Sequence, residues 1–283
     1  MILDSVIVLY NPDEQFVMKN IEIISSKTNC CYVIVNSCDA LVLKKISIIP
    51  RVVIINNNRN IGLSKSLNIG LKEMINGNAE GVVLFDQDSL PSDNFFNNII
   101  ACYKNLSQVE RVGAIGGLVH DYKKVEAGNQ ETSFSTEVDV VITSGCLIPR
   151  NTIEKVGMMD ETFFIDYIDY EWCFRAKSIG YKIFVSNQSI LHHNLGDNLV
   201  GILSVKKPIH DNVIRHYHII RNQLIILCRD YIPLKWRIIH FFKIFYRIPG
   251  YILYSSNRKK TAKNIFNAIV DFVKVKNKKK YIY

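Results

Sequence analysis

The chain of 283 residues is 48% hydrophobic and 22% charged, enough apolar content for one large core and too much for a disordered chain. Its net charge of +9 is local: residues 235–283 hold thirteen Lys or Arg and one acid (+12), whereas residues 1–234 hold 22 bases and 25 acids (−3). A basic tail of this kind suits nucleic acid or a membrane surface, and the make-up of the tail itself, described below, favours the membrane. No repeat period shows, and no basic, apolar and cleavage segments run in series at the start, so no signal peptide is expected. The cysteines (Cys30, Cys31, Cys38, Cys102, Cys146, Cys173 and Cys228) form no C-x-x-C pair and read as buried thiols in a reducing cytoplasm, not as zinc ligands or disulfides.

Ser5–Tyr10 reads as a strand ended by Asn11-Pro12-Asp13, a turn signal. A helical segment to about Lys27, a strand Cys31–Val35 and a strand Arg51–Ile55 follow. The polar run 56–62 then opens a helix from Ser64 to about Ile75, with Leu67, Leu71 and Met74 on one face. Gly81–Phe85 is a short apolar, β-branched run, hence a buried strand, followed by a turn and a new helix start near Asp93. Strand and helix in short alternation predict a parallel sheet with helices on both sides. Further strands are expected at Gly113–Leu118, Val138–Ile148 and, as two short pieces, around Ile183 and Ile190; residues 121–137 read as a polar surface excursion. Helices are expected from Asn151, from about Asp169 to Ser178, and over Asn212–Cys228.

Four groups of residues could carry chemistry. Asp86 and Asp88 stand at the carboxyl end of an apolar strand, where open α/β sheets bind ligands and where carboxylates suit a hard divalent cation; the same spacing also fits a strand ending in a polar turn. Asn60 and Gly62 lie where a loop enters a helix, able to present backbone N–H groups to a phosphate or sugar, or simply to cap the helix. Asp166, Asp169 and Glu171 put three carboxylates among aromatics, and carboxyls in apolar company suit a general base. Asp169 takes that role here, because Glu171 can pair with Arg175 one helical turn on. His193 ends an apolar strand and reads either as a metal ligand or as a core histidine.

Seven short stretches in order resemble the family 2 glycosyltransferases, and within them the bacterial rhamnosyltransferases: Val8-Leu9-Tyr10-Asn11-Pro12, Asn60-Ile61-Gly62, Asp86-Gln87-Asp88-Ser89, Thr143-Ser144-Gly145, the run Phe164–Arg175, His193-Asn194-Leu195-Gly196, and Arg215-His216-Tyr217 with Arg221-Asn222. The resemblance covers residues 5 to about 225. It implies an α/β fold of the GT-A type, a mostly parallel central sheet flanked by helices, with amphipathic helices at the C-terminus. It also implies an inverting, metal-dependent transfer from a nucleotide sugar. Asp86 and Asp88 match the D-x-D carboxylates that contact the donor ribose and hold Mg²⁺ or Mn²⁺, with His193 near the diphosphate or metal. Asp169 matches the catalytic base. Tyr10, Asn11, Asn36, Asn60 and Gly62 fall on donor-binding positions; Ser144, Gly145, Asp166, Glu171 and Arg175 fall around the acceptor or support the site. Two departures stand out. Asn36 occupies a position where the family usually has an Asp that contacts the base, and Ile168 precedes the catalytic base where many members have Glu.

Residues 231–254 are rich in Ile, Phe, Trp and Tyr and carry Arg237, His240, Lys243 and Arg247 at helical spacing. That reads as an amphipathic helix with one basic stripe lying in the membrane interface, and Pro249 argues against a long straight helix. The Lys276–Lys280 cluster adds attraction to anionic lipid, about 1 kcal/mol per basic residue near the surface. The expected organisation is a catalytic domain over residues 1–230 and a membrane-associating region over 231–283. The expected activity is transfer of a sugar, L-rhamnose from dTDP-L-rhamnose, to a lipid-linked saccharide acceptor at the cytoplasmic face of the bacterial inner membrane, in O-antigen or other surface polysaccharide synthesis. The expected partners are the donor, the acceptor and an anionic membrane surface, with no nucleic acid. The alternatives are a UDP-linked donor, a nucleotidyltransferase of similar fold, or a non-catalytic nucleotide-sugar-binding module.

Overall fold

The computed structural model describes residues 1–121, 133–193, 199–202, 205–208 and 213–279. Contacts divide the chain into a sheet unit, Met1–Phe164 with Ile168–Asn194, and a second, helical unit, Ile165–Tyr167 with Leu195–Tyr283.

In the sheet unit the chain alternates from the start: β1 (Leu3–Tyr10), α1 (Glu14–Lys27), β2 (Cys31–Ser37), α2 (Ala40–Ile46), β3 (Val52–Asn56), α3 (Leu63–Asn76) and β4 (Gly81–Asp86). These four strands are parallel, in the order β3-β2-β1-β4. Runs such as Val6-Ile7-Val8-Leu9 are buried throughout, the pattern of a parallel strand covered on both faces. Asp13 and Asp39 each accept a backbone N–H at the start of the helix that follows, from Phe16 and Leu41. Arg150 closes the other end of α3, donating to the carbonyls of Met74, Ile75, Gly77 and Ala79.

The second half of the sheet comprises β5 (Ser89–Pro91), α4 (Phe95–Leu106), β6 (Val112–Asp121), β7 (Ser135–Val138), β8 (Cys146–Pro149), α5 (Arg150–Val156), α6 (Ile168–Ser178) and β9 (Lys182–His193). The strand order is β3-β2-β1-β4-β8-β6-β9-β5, with β7 on β9. Strand β8 is antiparallel to both β4 and β6, while β6 and β9 are parallel. Phe85, Phe95 and Phe96 pack ring against ring with centroids 5.4–5.9 Å apart, fixing α4 beneath the end of β4.

Two expectations are corrected. The strand expected over Val138–Ile148 is two strands: Val138 ends β7, residues 139–145 form a connection, and β8 starts at Cys146, because the two strands join different neighbours. The two pieces around Ile183 and Ile190 are one strand, β9, whose pairing with β6 jumps from Gly117–Ser186 to Leu118–Ile190, so Asn187–Ser189 form a bulge. Of the polar excursion, residues 122–132 lie outside the described residues.

The helical unit holds a hairpin of β10 (Leu199–Ile202) and β11 (Val205–Pro208), then α7 (Val213–Leu227), α8 (Leu234–Tyr254) and α9 (Arg258–Lys279). Helix α7, placed by sequence with residues 1–230, groups with α8 and α9: its Ile220 is buried against Ile265 and Ala268, with Ile248, Tyr251 and Ile252 around them. Helix α8 continues through Pro249 for 21 residues. No helix among the described residues is long and apolar enough to cross a membrane.

Two members of the basic stripe of α8 are turned inward. His240 is buried and Arg247 donates to Tyr167 Oη and Gln223 Oε1. His240 Nδ1 lies 2.9 Å from Trp236 O and Nε2 lies 3.1 Å from Lys243 Nζ. A carbonyl only accepts and an ammonium only donates, so the ring is neutral with its proton on Nδ1. The exposed side of α8 is instead apolar, with Leu234, Ile238, Phe241, Phe242, Phe245 and Tyr246 outward. The side chains of the Lys276–Lys280 cluster lie outside the described residues.

Candidate functional site

The carboxyl ends of the four parallel strands come level in the sheet: Val8 pairs with Asp86, Tyr10 with Ser37 and Val35 with Asn56. Tyr10 and Asn11 therefore stand beside the start of the Asp-x-Asp turn. Gln87, its middle residue, accepts Tyr10 N–H at 2.8 Å and donates to Tyr10 O at 3.2 Å, extending the β1–β4 pairing by one side chain. Sequence reasoning gave Gln87 no role, since an amide between two acids looks like a spacer. Asn11, at φ 47°, donates its N–H to Ser37 O and accepts from the Ser37 hydroxyl, which ties the ends of β1 and β2 together. Asp86 and Asp88 are half-buried.

Asn36 organises the loop before α3. Its Oδ1 accepts from Asn57 Nδ2 at 3.0 Å, Ser66 Oγ at 3.0 Å and Ile61 N–H at 3.4 Å. A backbone N–H among these donors identifies the oxygen, so only the Nδ2 of this buried amide remains to donate elsewhere. Within the loop, Asn60 Oδ1 accepts Gly62 N–H. Gly62 has φ 90°, and a Cβ there would lie 2.6 Å from the Phe164 ring and 2.9 Å from Phe164 O, so both conformation and space require glycine. Leu63 N–H and the Ser64 hydroxyl in turn donate to Phe164 O and Phe163 O. Asn68 donates to Met159 O and accepts Met159 N–H. The stretch that precedes α6 is thus built onto α3.

Ser144 and Gly145 meet the end of β4 from the other side. Ser144 Oγ accepts Asp86 N–H at 3.0 Å, and Gly145 N–H donates to Leu84 O at 2.7 Å. Gly145 has φ 69°, and a Cβ would lie 2.8 Å from Leu191. Asp169, the second residue of α6, accepts Tyr170 N–H at 2.9 Å, an interaction that orients its carboxylate at the helix start. Burial pushes the Cys173 thiol up to about 12, and the Asp169 charge adds to this; burial, Cys173 and Asp169 likewise raise Cys146.

Glu171 is 1% exposed and its two oxygens accept from Arg175 Nε and Nη2 at 2.8 and 2.9 Å. Arg175 also donates to Val156 O and Met158 O, fastening α6 to the end of α5. Asp166 accepts from Arg215 and belongs to the helical unit. His193 is placed by register alone: its backbone pairs with Ser89, next to Asp88, and its side chain, like Asn194–Gly196, lies outside the described residues.

No group of three or more His, Cys, Asp or Glu that could hold a metal occurs among the described residues. The donors at the strand end are two carboxylates, Asp86 and Asp88. Mg²⁺ and similar ions are commonly held by one or two carboxylates together with substrate phosphates, so this donor set fits a cation shared with a diphosphate.

No family model matches the chain. It is 32% identical over 248 residues to the dTDP-rhamnosyl transferase RfbF of Shigella flexneri, a span of 81% of each sequence. The fold is similar to S. aureus TarS 1-349 in complex with UDP-GlcNAc, at 12% identity and a TM-score of 0.62, over 96% of this chain and 81% of that one. It is also similar to GalNAc-T7 with UDP, GalNAc and Mn²⁺, at 14% identity and a TM-score of 0.59, over 96% of this chain and 57% of that one. Both are glycosyltransferases of the GT-A fold. With 32% identity sustained over four fifths of both sequences, the chain belongs to the bacterial family 2 glycosyltransferases, in their rhamnosyltransferase-like group.

Proposed function

We propose that this glycosyltransferase moves L-rhamnose from dTDP-L-rhamnose, with inversion, to a hydroxyl of a lipid-linked saccharide in surface polysaccharide synthesis. The observation that carries the donor is the identity to a dTDP-rhamnosyl transferase over most of both chains. Asp169 takes the proton from the acceptor hydroxyl as it attacks, a role supported by its place at the start of α6, where Tyr170 N–H orients its carboxylate. Asp86 and Asp88 would hold Mg²⁺ or Mn²⁺ against the donor diphosphate, with His193 beside them by register. When bound, such a cation supplies charge neutralisation to the leaving diphosphate. Tyr10, Asn11, Asn36 and the Asn60–Gly62 loop surround the nucleoside; Asn36 contributes its Nδ2 alone. Ser144 and Gly145 shape the edge nearest Asp86, and the Glu171–Arg175 pair supports the helix that bears the base.

The same reading places the enzyme at the cytoplasmic face of the inner membrane. Support comes from α8, whose outward side carries Phe241, Phe242, Phe245 and Tyr246, and from the exposed Arg258, Lys259, Lys260 and Lys263 at the start of α9. Aromatic insertion with basic residues nearby suits an anionic lipid surface. The test is mass analysis of products after incubation with a panel of nucleotide sugars and a bacterial lipid extract. A deoxyhexose added from dTDP-L-rhamnose supports the reading; transfer from UDP-sugars alone rejects the donor.

A further inference from the structure

The three residues Ile165–Tyr167 lead directly into α6, and Asp169 is the second residue of that helix. Asp166 and Tyr167 have φ of 65° and 66°, two consecutive non-glycine residues in the left-handed region. That conformation is disfavoured for L-residues, more so for a Tyr, and persists only where surrounding contacts enforce it. The enforcing contacts come from α7 and α8. Arg215 Nη2 donates to Asp166 Oδ1 at 2.9 Å, with Nε at 3.2–3.3 Å from both carboxylate oxygens. Asn222, fully buried, donates through one amide nitrogen to Ile165 O at 2.7 Å and Asp166 O at 3.1 Å. Arg247 donates to Tyr167 Oη, and the Tyr167 ring meets Trp236 edge-on at 6.4 Å. A side-chain fork, a buried amide and a third donor thus fix the backbone of a strained turn.

We infer that Asp166, Arg215 and Asn222 are positioning residues: they lock the left-handed turn that sets where α6 begins, and so where the Asp169 carboxylate is delivered. This inference rests on the reading of Asp169 as the base. It assigns Asp166 no proton transfer, since its oxygens are engaged by Arg215. The chemistry of the lock requires a planar fork at 215 and an amide at 222, which Lys and Leu do not supply.

The full-length chain is tested through Arg215→Gln, Asn222→Leu, Asp166→Ala and Asp166→Gly. The first readout needs no substrate: hydrogen exchange of the peptide spanning residues 165–171. Arg215→Gln and Asn222→Leu are expected to speed exchange there at least 10-fold, with peptides from β1 and β4 unchanged. Unchanged exchange at 165–171 overturns the lock, and so does an equal rise across the whole chain, which would mean general destabilisation. The second readout is turnover with dTDP-L-rhamnose and lipid extract, beside Mn²⁺-dependent dTDP affinity. Turnover should fall 10–100-fold while dTDP affinity stays within about threefold. Asp166→Gly, which adopts a positive φ without strain, should retain more activity than Asp166→Ala, and both, lacking the carboxylate that Arg215 grips, should fall below the wild type; wild-type turnover in Asp166→Ala rejects the inference. Asp169→Asn serves as control: if it keeps wild-type turnover, the base assignment fails, whereas its inactivity beside fully active Arg215 and Asn222 variants rejects the lock alone.

Discussion

Single residues divide into those that meet substrate and those that hold the frame. Asp169→Asn preserves shape and removes basicity, so turnover should fall by roughly 10²–10⁴-fold with dTDP affinity intact; activity within a few-fold of wild type would move the proton to another group. Asp88→Ala should abolish cation-stimulated transfer and leave the melting temperature near that of the wild type. Excess chelator should do the same to the unmodified enzyme, and full activity in chelator would remove the cation from the mechanism. Gly62→Ala probes the frame. It places a methyl 2.6 Å from the Phe164 ring at a φ of 90°, so it should cost about 1–3 kcal/mol in denaturant unfolding and lower turnover by disturbing the run before α6. A variant as stable as the wild type would mean that the loop relaxes freely.

At the scale of the element, α8 shows how helical spacing can mislead. Residues 237, 240, 243 and 247 do share a side, but two of them turn inward, where His240 and Arg247 find partners on α7, on α8 itself and at Tyr167. Burial, with Lys243 and Arg247 nearby, lowers the His240 pKa to about 4 from an ordinary 6.5. Burial also lowers that of His218, with Arg221 contributing. Below about pH 6.5 the unfolded chain takes up protons that the folded protein refuses. Stability should therefore decline as pH falls from about 6.5 toward 4, by an amount on the order of 2 kcal/mol for His240. His240→Gln, which can still donate to Trp236 O and accept from Lys243, should flatten that slope in denaturant titrations at pH 7.5 and 5.0; an unchanged slope would assign it to other groups. Replacing Phe242 and Phe245 with Ser on the outward side should weaken binding to anionic vesicles by about tenfold or more, with no loss of thermal stability. Undiminished vesicle binding would remove α8 from the proposed membrane contact.

For the whole molecule, the consequence lies in what a truncation does. Cutting before Tyr231 removes α8 and α9, and with them Arg247, Trp236 and the residues that bury Ile220. If the helical unit were an anchor only, the shortened protein would be soluble and would turn over a water-soluble acceptor at the normal rate. The contacts around Tyr167 predict instead an aggregation-prone protein with at least tenfold lower turnover. Turnover equal to that of the full chain would return α8 and α9 to a purely anchoring role.

The alternation of apolar runs, turn residues and helical spacing placed the four parallel strands and α3 to within about two residues at each end, because local backbone preference and burial on both faces agree there. The same pattern placed Asp86 and Asp88 at a strand end, since a parallel strand leaves its last polar residues at one edge. Strand β9, by contrast, was legible only as fragments, because Asn187–Ser189 interrupt the apolar pattern while the pairing with β6 resumes beyond them. Which side of α8 faces inward, the saturation of Asn36 Oδ1, and the hold of Arg215 and Asn222 on Ile165–Tyr167 were decided by tertiary structure alone. Each depends on partners 17 to 80 residues away in sequence. Spacing along one segment reports which residues share a face, but only packing determines what that face meets.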